Sequence, residues 1–174
     1  MITGHLGIAA AVRGRWRDTS LLWLLAASVA PDAWDVAMAL AGVCSPFGLY
    51  SHTVPAAALI AAIVGGAALL ATGSRATAIA CVALVLAHLP PDMITGHKLY
   101  WPGGSLIGLN VYAHPALDFI IELPILTAGW WLLRRARATP AWLCRWEVLL
   151  LLALLQASFD FVSGFGLIKP TACA

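Results

Sequence analysis

Charge is what this chain most conspicuously lacks. Only 10% of its 174 residues are Asp, Glu, Lys or Arg, against about 25% in ordinary soluble domains. Hydrophobic residues make up 61%, and the mean hydropathy is +0.89. That deficit excludes a conventional water-soluble core. No basic tail and no glycine-rich phosphate loop are present, so no nucleic-acid partner is expected. The four cysteines include no C-x-x-C pair, which argues against a cysteine-rich zinc site. The N-terminus has no basic stretch ahead of an apolar run, so no cleavable signal peptide is expected.

What is present is a succession of apolar runs without strand alternation. Backbone groups in hydrocarbon must be satisfied within their own segment, so such runs imply helices. The expectation is an all-α, polytopic membrane bundle of about six helices forming one domain over residues 1–174. The segments fall at about residues 2–12, 20–30 (with a kink at Pro31 and an extension to residue 40), 52–70, 76–89, 114–133 and 142–162. The third, fifth and sixth approach the ~20 residues that span hydrocarbon. The other three read as shorter, ending at a cavity or lying in thinned bilayer.

Connections alternate in character. All eight arginines fall in one set: Arg13, Arg15 and Arg17, then Arg75, then Arg134, Arg135, Arg137 and Arg145. The other set is longer and carries only Lys98 and Lys169. Six alternating helices put every arginine on one side, which the positive-inside rule makes cytoplasmic. Cys44 and Cys173 fall on the opposite side, where they either pair, if the compartment is oxidising, or remain free thiols. Cys81 reads as a core residue.

The remaining ionisable groups gather on the side away from the arginines. These are His5, His52, His88, His97 and His114, with Asp32, Asp35, Asp92, Asp118, Glu122 and Asp160. Ionisable groups at membrane depth are costly and usually line a functional cavity. His88 precedes Asp92 by four residues and His114 precedes Asp118 by four, a spacing that shares one helical face. Imidazole with carboxylate suits zinc. The bland alternative is a His–Asp hydrogen bond at a helix end. Trp34, Tyr50, Tyr100 and Trp101 read as an interfacial aromatic belt on this side, with the lining of a substrate cleft as the alternative.

The order His5, Asp32, His52, His88-x-x-x-Asp92, His97, His114-x-x-x-Asp118 resembles the ligand order of the zinc-dependent phospholipase C and single-strand nuclease superfamily. The segments Gly4-His5, Pro31-Asp32, Ser51-His52-Thr53 and Asp92 to Gly96 and Pro102 are similar to those of a bacterial family of inner-membrane, metal-dependent hydrolases, one of them under SOS control. The resemblance covers about residues 1–118. It implies a zinc site of two or three ions, other divalent metals being an alternative. It implies a first position from Asp32, His52, His88 and Asp92, and a second from His97, His114 and Asp118. A third would be shared by Asp92 and His5, with the Met1 amine an open ligand. Asp32 is implied as ligand and general base. Asp35, Glu122 and Asp160 are left as supporting or substrate-facing residues. Asp118 stands where the superfamily has Glu.

With Asp32, Asp92 and Asp118 as ligands, two zinc ions leave the site at about +1 and three at about +3, attractive to an anion. The expectation is a hydrolase of a lipid or other amphiphilic phosphoester, with amide or carboxylic-ester hydrolysis open. The localisation implied is the bacterial inner membrane, with the basic loops cytoplasmic and the site facing outward. A metal-ion transporter or a metal-binding structural membrane protein is the alternative. Neither the oligomeric state nor the substrate is legible.

Overall fold

A computed structural model of the chain describes residues 2–43, 46–136 and 139–164. The Cys44–Cys173 pairing, the Met1 amine and Lys169 lie outside the described residues. The fold is all-α: α1 (Ile2–Arg15), α2 (Leu21–Leu40), α3 (Val54–Thr72), α4 (Arg75–Thr95), α5 (Pro115–Arg134) and α6 (Trp146–Gly164). Four of them, α2 to α5, are long and apolar enough to cross a membrane. The expected number of helices and their order hold. α2 continues past Pro31 to Leu40, as its expected extension had it. One length does not hold: α4, expected to end near residue 89, runs for 21 residues to Thr95. The reason is that the Pro90–Pro91 pair sits inside the helix rather than ending it. In an apolar environment, stopping a helix exposes more unsatisfied backbone than continuing it past a missing N–H. α6, expected among the longer segments, runs for 19 residues and carries Glu147, Gln156 and Asp160.

Caps define the tight α3–α4 hairpin. Thr53 accepts the Ala56 N–H at the start of α3. Gly73, at φ +65°, closes its end in the left-handed region that favours glycine. Ser74 then accepts the Thr77 N–H to open α4. Helix directions alternate. The N-terminal part of α1, the C-terminal part of α2, the start of α3 and the C-terminal part of α4 meet at one end, shown by contacts among His5, Asp32, His52 and Asp92. At the other end, the Ser20 N–H donates to Thr77 Oγ1 at 3.2 Å. Here the Arg134 guanidinium lies 5.3 Å from both the Trp130 and Trp146 rings. The arginine end and the histidine end are thus opposite ends of the bundle.

Two small-residue contacts set how closely the helices approach. α1 packs most extensively on α5. A Cβ built on Gly129 would sit 1.9 Å from the Gly7 carbonyl oxygen, and one on Gly14 would meet the Leu132 backbone at 2.7 Å. Backbone therefore touches backbone, the arrangement that small residues permit in membranes. On α3, a Cβ at Gly65 would meet Val82 of α4 at 2.5 Å. The apolar core between α1 and α4 is built from residues such as Leu24, Ala27, Ile60, Leu84 and Val85, together with buried Cys81. Leu126, Trp130 and Leu149 form a smaller one. The loop after α4 carries a two-stranded antiparallel ribbon, β1 (Lys98–Leu99) with β2 (Leu106–Ile107). The Tyr100 carbonyl accepts the Val54 N–H, which fastens this loop to the start of α3.

Candidate metal centre

Because α4 continues through its prolines to Thr95, His88 and Asp92 stay one turn apart on one face, both buried. α2 likewise runs past Pro31 and brings Asp32 to the same point. His52 enters just ahead of α3, in the turn that Thr53 caps, and is buried too. Four donors converge. His52 Nε2 lies 3.0 Å from Asp92 Oδ2 and 3.5 Å from Asp32 Oδ1. His88 Nε2 lies 3.5 Å from Asp92 Oδ2 and 3.6 Å from Asp32 Oδ1. These residues form a group that could hold a metal ion. Ligand bonds of 2.0–2.1 Å in a tetrahedron put donors about 3.3 Å apart, and the four separations bracket that value.

Hydrogen bonding leaves the inward atoms for a cation. His88 Nδ1 lies 2.9 Å from the Ser28 carbonyl oxygen. A carbonyl only accepts, so Nδ1 carries the hydrogen and the neutral ring keeps its lone pair on Nε2. His52 Nδ1 faces the Ser51 hydroxyl and, at 3.4 Å, Asp35 Oδ2. His52 Nε2, His88 Nε2 and Asp32 Oδ2 are buried without any hydrogen-bond partner. Buried polar atoms are rarely left so, and three at one point fit a missing cation. Asp92 is oriented from behind. His5 Nε2 donates to its Oδ1 at 2.9 Å, and the Tyr112 hydroxyl donates to the same oxygen at 2.9 Å. The His5 ring also stacks on His88, with centroids 3.6 Å apart.

No protein-family model, curated protein or solved structure matches the chain.

The functional reading therefore rests on the residues themselves. Burial disfavours charge on His52, but Asp32, Asp35 and Asp92 around its ring outweigh that and push its pKa up to about 10. The surroundings of His52 thus favour positive charge at this point. Burial and the negative charge of Asp92 push the Tyr112 phenol upward, so it stays a donor. Asp32 and Asp35 are each 27% exposed, whereas His52 and Asp92 are at 2% or less. The centre thus opens on the α2 side.

The structure brings together five of the eight expected ligands: Asp32, His52, His88 and Asp92 as converging donors, with His5 behind Asp92. The other three are placed elsewhere. His97 and His114 are exposed, and among the described residues neither joins a group close enough to hold a metal. His114 is the residue before Pro115 and stands at the N-cap of α5 with non-helical backbone (φ −126°, ψ 82°) and no side-chain cap hydrogen bond. Its side chain therefore does not share the helical face of Asp118. Asp118 instead gathers with Glu122 and Asp160 in a second buried group that could hold a metal ion. There, Glu122 Oε2 accepts the Gly4 N–H at 3.0 Å, and Gln156 donates to Asp160. Gln156 also accepts from Thr3 through both the backbone N–H and the hydroxyl. One turn of α1 thus separates the two groups. With two carboxylates rather than three at the first, one divalent ion there leaves about zero net charge, not the positive excess expected from a merged site. Tyr112, Ser28 and Gln156 were not singled out from the sequence. A loop tyrosine and a backbone carbonyl leave no spacing to read.

Proposed function

We propose that this protein is a membrane-embedded, metal-dependent hydrolase, with zinc as the fitting ion, acting on a lipid or other amphiphilic phosphoester at the membrane surface. The observation that carries the reading is the convergence of two imidazole nitrogens and two carboxylates around one point, with Asp32 its more exposed member. N₂O₂ donors at these separations suit zinc better than calcium or magnesium, which favour all-oxygen shells. Asp32, His52, His88 and Asp92 would hold the zinc ion, which, with a further coordination position open beside Asp32, would supply Lewis acidity towards a phosphoryl oxygen or a water. Asp32, on the open side and with Oδ2 unpartnered, takes the roles of ligand and acceptor for the proton of the attacking water. Asp35 holds the His52 ring. Tyr112 and His5 hold Asp92. By the positive-inside rule the arginine end is cytoplasmic and the centre faces outward, as in a bacterial inner membrane.

A metal-ion transporter is the competing reading. It needs ligands along a path, commonly near the midplane. Among the described residues, both groups that could hold a metal lie at the end away from the arginines, which favours the hydrolase. The test is metal analysis of protein purified in mild detergent, beside a His88→Ala, Asp92→Ala double variant, followed by phosphodiester hydrolysis assays. The proposal expects about one zinc per chain in the centre, lost in the double variant together with hydrolysis. Substoichiometric metal unchanged by the variant overturns it. Bound zinc moved into vesicles without any hydrolysis favours the transporter.

A further inference from the structure

The metal centre opens beside an apolar groove between α2 and α3, and the two are built from neighbouring residues. Asp35, which touches the His52 ring, is preceded by Trp34 and followed three residues later by Met38, and both line the groove. His52 is followed by Thr53, the first groove residue on the α3 side, and the wall continues through Ala56, Leu59 and Ile63. From residue 55 to residue 63, α3 advances about 12 Å, so the groove leaves the centre and runs towards the bilayer interior. Its volume is about 470 Å³, within the ~300–1,000 Å³ of small-molecule sites. Leu59 and Ile63 are exposed on a helix apolar enough to cross a membrane. Among the described residues, no Asp, Glu, Lys, Arg or His lines the groove.

The two ends ask for different chemistry in one molecule. A metal ion between Asp32, His52, His88 and Asp92 offers a Lewis-acidic point for a phosphate oxygen, while the uncharged groove accepts hydrocarbon. Resting on the hydrolase reading, we propose that the α2–α3 groove seats one acyl tail of a membrane phospholipid whose phosphate faces the metal centre. A tail gains almost no hydrophobic free energy by moving from bilayer to groove, because lipid tails are as apolar as leucine. The groove therefore aligns the phosphate rather than adding affinity, and blocking it lowers turnover of lipids selectively.

The experiment has two arms, both on full-length, zinc-loaded protein in detergent micelles. In the first, Ala56→Phe fills the groove, and Leu70→Phe, on an exposed position outside it, serves as control. Hydrolysis of a long-chain phospholipid falls at least tenfold in Ala56→Phe, while hydrolysis of water-soluble bis(p-nitrophenyl) phosphate stays within twofold. Equal loss of both activities, or loss of neither, overturns the groove. In the second arm, unmodified protein is photolabelled with a phosphonate lipid carrying a diazirine in its tail, and the labelled residues are mapped by mass spectrometry. Labels concentrated on Met38, Leu59 and Ile63 support the tail site. Labels spread equally to the apolar cavity at Leu123, Thr127 and Trp131 overturn it. Concentrated labelling without hydrolysis of either substrate keeps the tail site and removes the hydrolase reading, so the two failures are distinguishable.

Discussion

Tyr112 reaches from the loop before α5 to Asp92 on α4, its hydroxyl donating to Oδ1 at 2.9 Å. That contact leaves Asp92 Oδ2 pointing between the two histidine rings. Partners that hold a ligand in this way typically contribute 10–100-fold in metal affinity. Tyr112→Phe keeps the ring and removes the donor. We expect zinc affinity, measured by competition with a fluorescent chelator, to fall about tenfold. The thermal midpoint of the metal-free protein should fall modestly, because the phenol interacts with Thr95 as well as Asp92. Unchanged affinity would remove Tyr112 from the centre.

Zinc and protons compete at His52. Its folded-state pKa of about 10 lies above the ordinary 6.5, so the imidazolium stabilises the metal-free fold. That contribution is complete below about pH 6.5 and is lost as pH rises through about 10. Metal-free protein should therefore unfold at lower temperature as pH is raised across that window. Zinc affinity should rise over the same window, because the ion binds the neutral ring. Calorimetry at pH 8 in buffers of different ionisation enthalpy should show about one proton released per zinc bound. Zero protons released would contradict the charged state assigned to His52.

His97 and His114 separate this geometry from a merged multi-metal site. Both are exposed and outside the metal-binding groups of the described residues. His97→Ala and His114→Ala should each leave zinc stoichiometry within error of the parent protein. His52→Ala should abolish binding at the centre. A parallel loss in the His114 variant would mean that the loop ahead of α5 folds inward when metal is present.

The α1–α5 seam admits no side chain at Gly129. A Cβ there would lie 1.9 Å from the Gly7 oxygen and 2.7 Å from its Cα, and neither backbone atom can yield without moving a helix. Gly129→Val should cost at least the ~1–3 kcal/mol of ordinary overpacking. Detergent-resistance or thermal-unfolding assays should register this as a lowered midpoint. A midpoint equal to the parent's would show that the helices part readily.

The helices were legible because apolar runs and arginine-bearing connections alternate cleanly. The His88–Asp92 pair was legible because both residues lie inside one helix, where a spacing of four means a shared face. The same spacing misled at His114–Asp118. Proline at position 115 suits the first turn of a helix and disfavours helical backbone at the residue before it, so His114 stands outside α5 and only Asp118 follows its face. Prolines misled in the opposite direction at positions 90 and 91, where the apolar surroundings carry the helix onward. That Asp118, Glu122 and Asp160 gather apart from the histidines depends on how α1, α5 and α6 pack, and no local spacing reports it.

Consider finally what the Gly7–Gly129 contact means for a chain made from its N-terminus. α1 is 14 residues long, roughly two-thirds of the ~30 Å hydrocarbon thickness at ~1.5 Å per residue. The flat glycine surface that receives it is synthesised more than a hundred residues later, on α5. Until then α1 has only part of its neighbourhood, and His5, which rides on it, has no fixed hold on Asp92. His5 is therefore held in its final place only once α5 has packed against α1, although the four donors it supports all precede α5 in the chain.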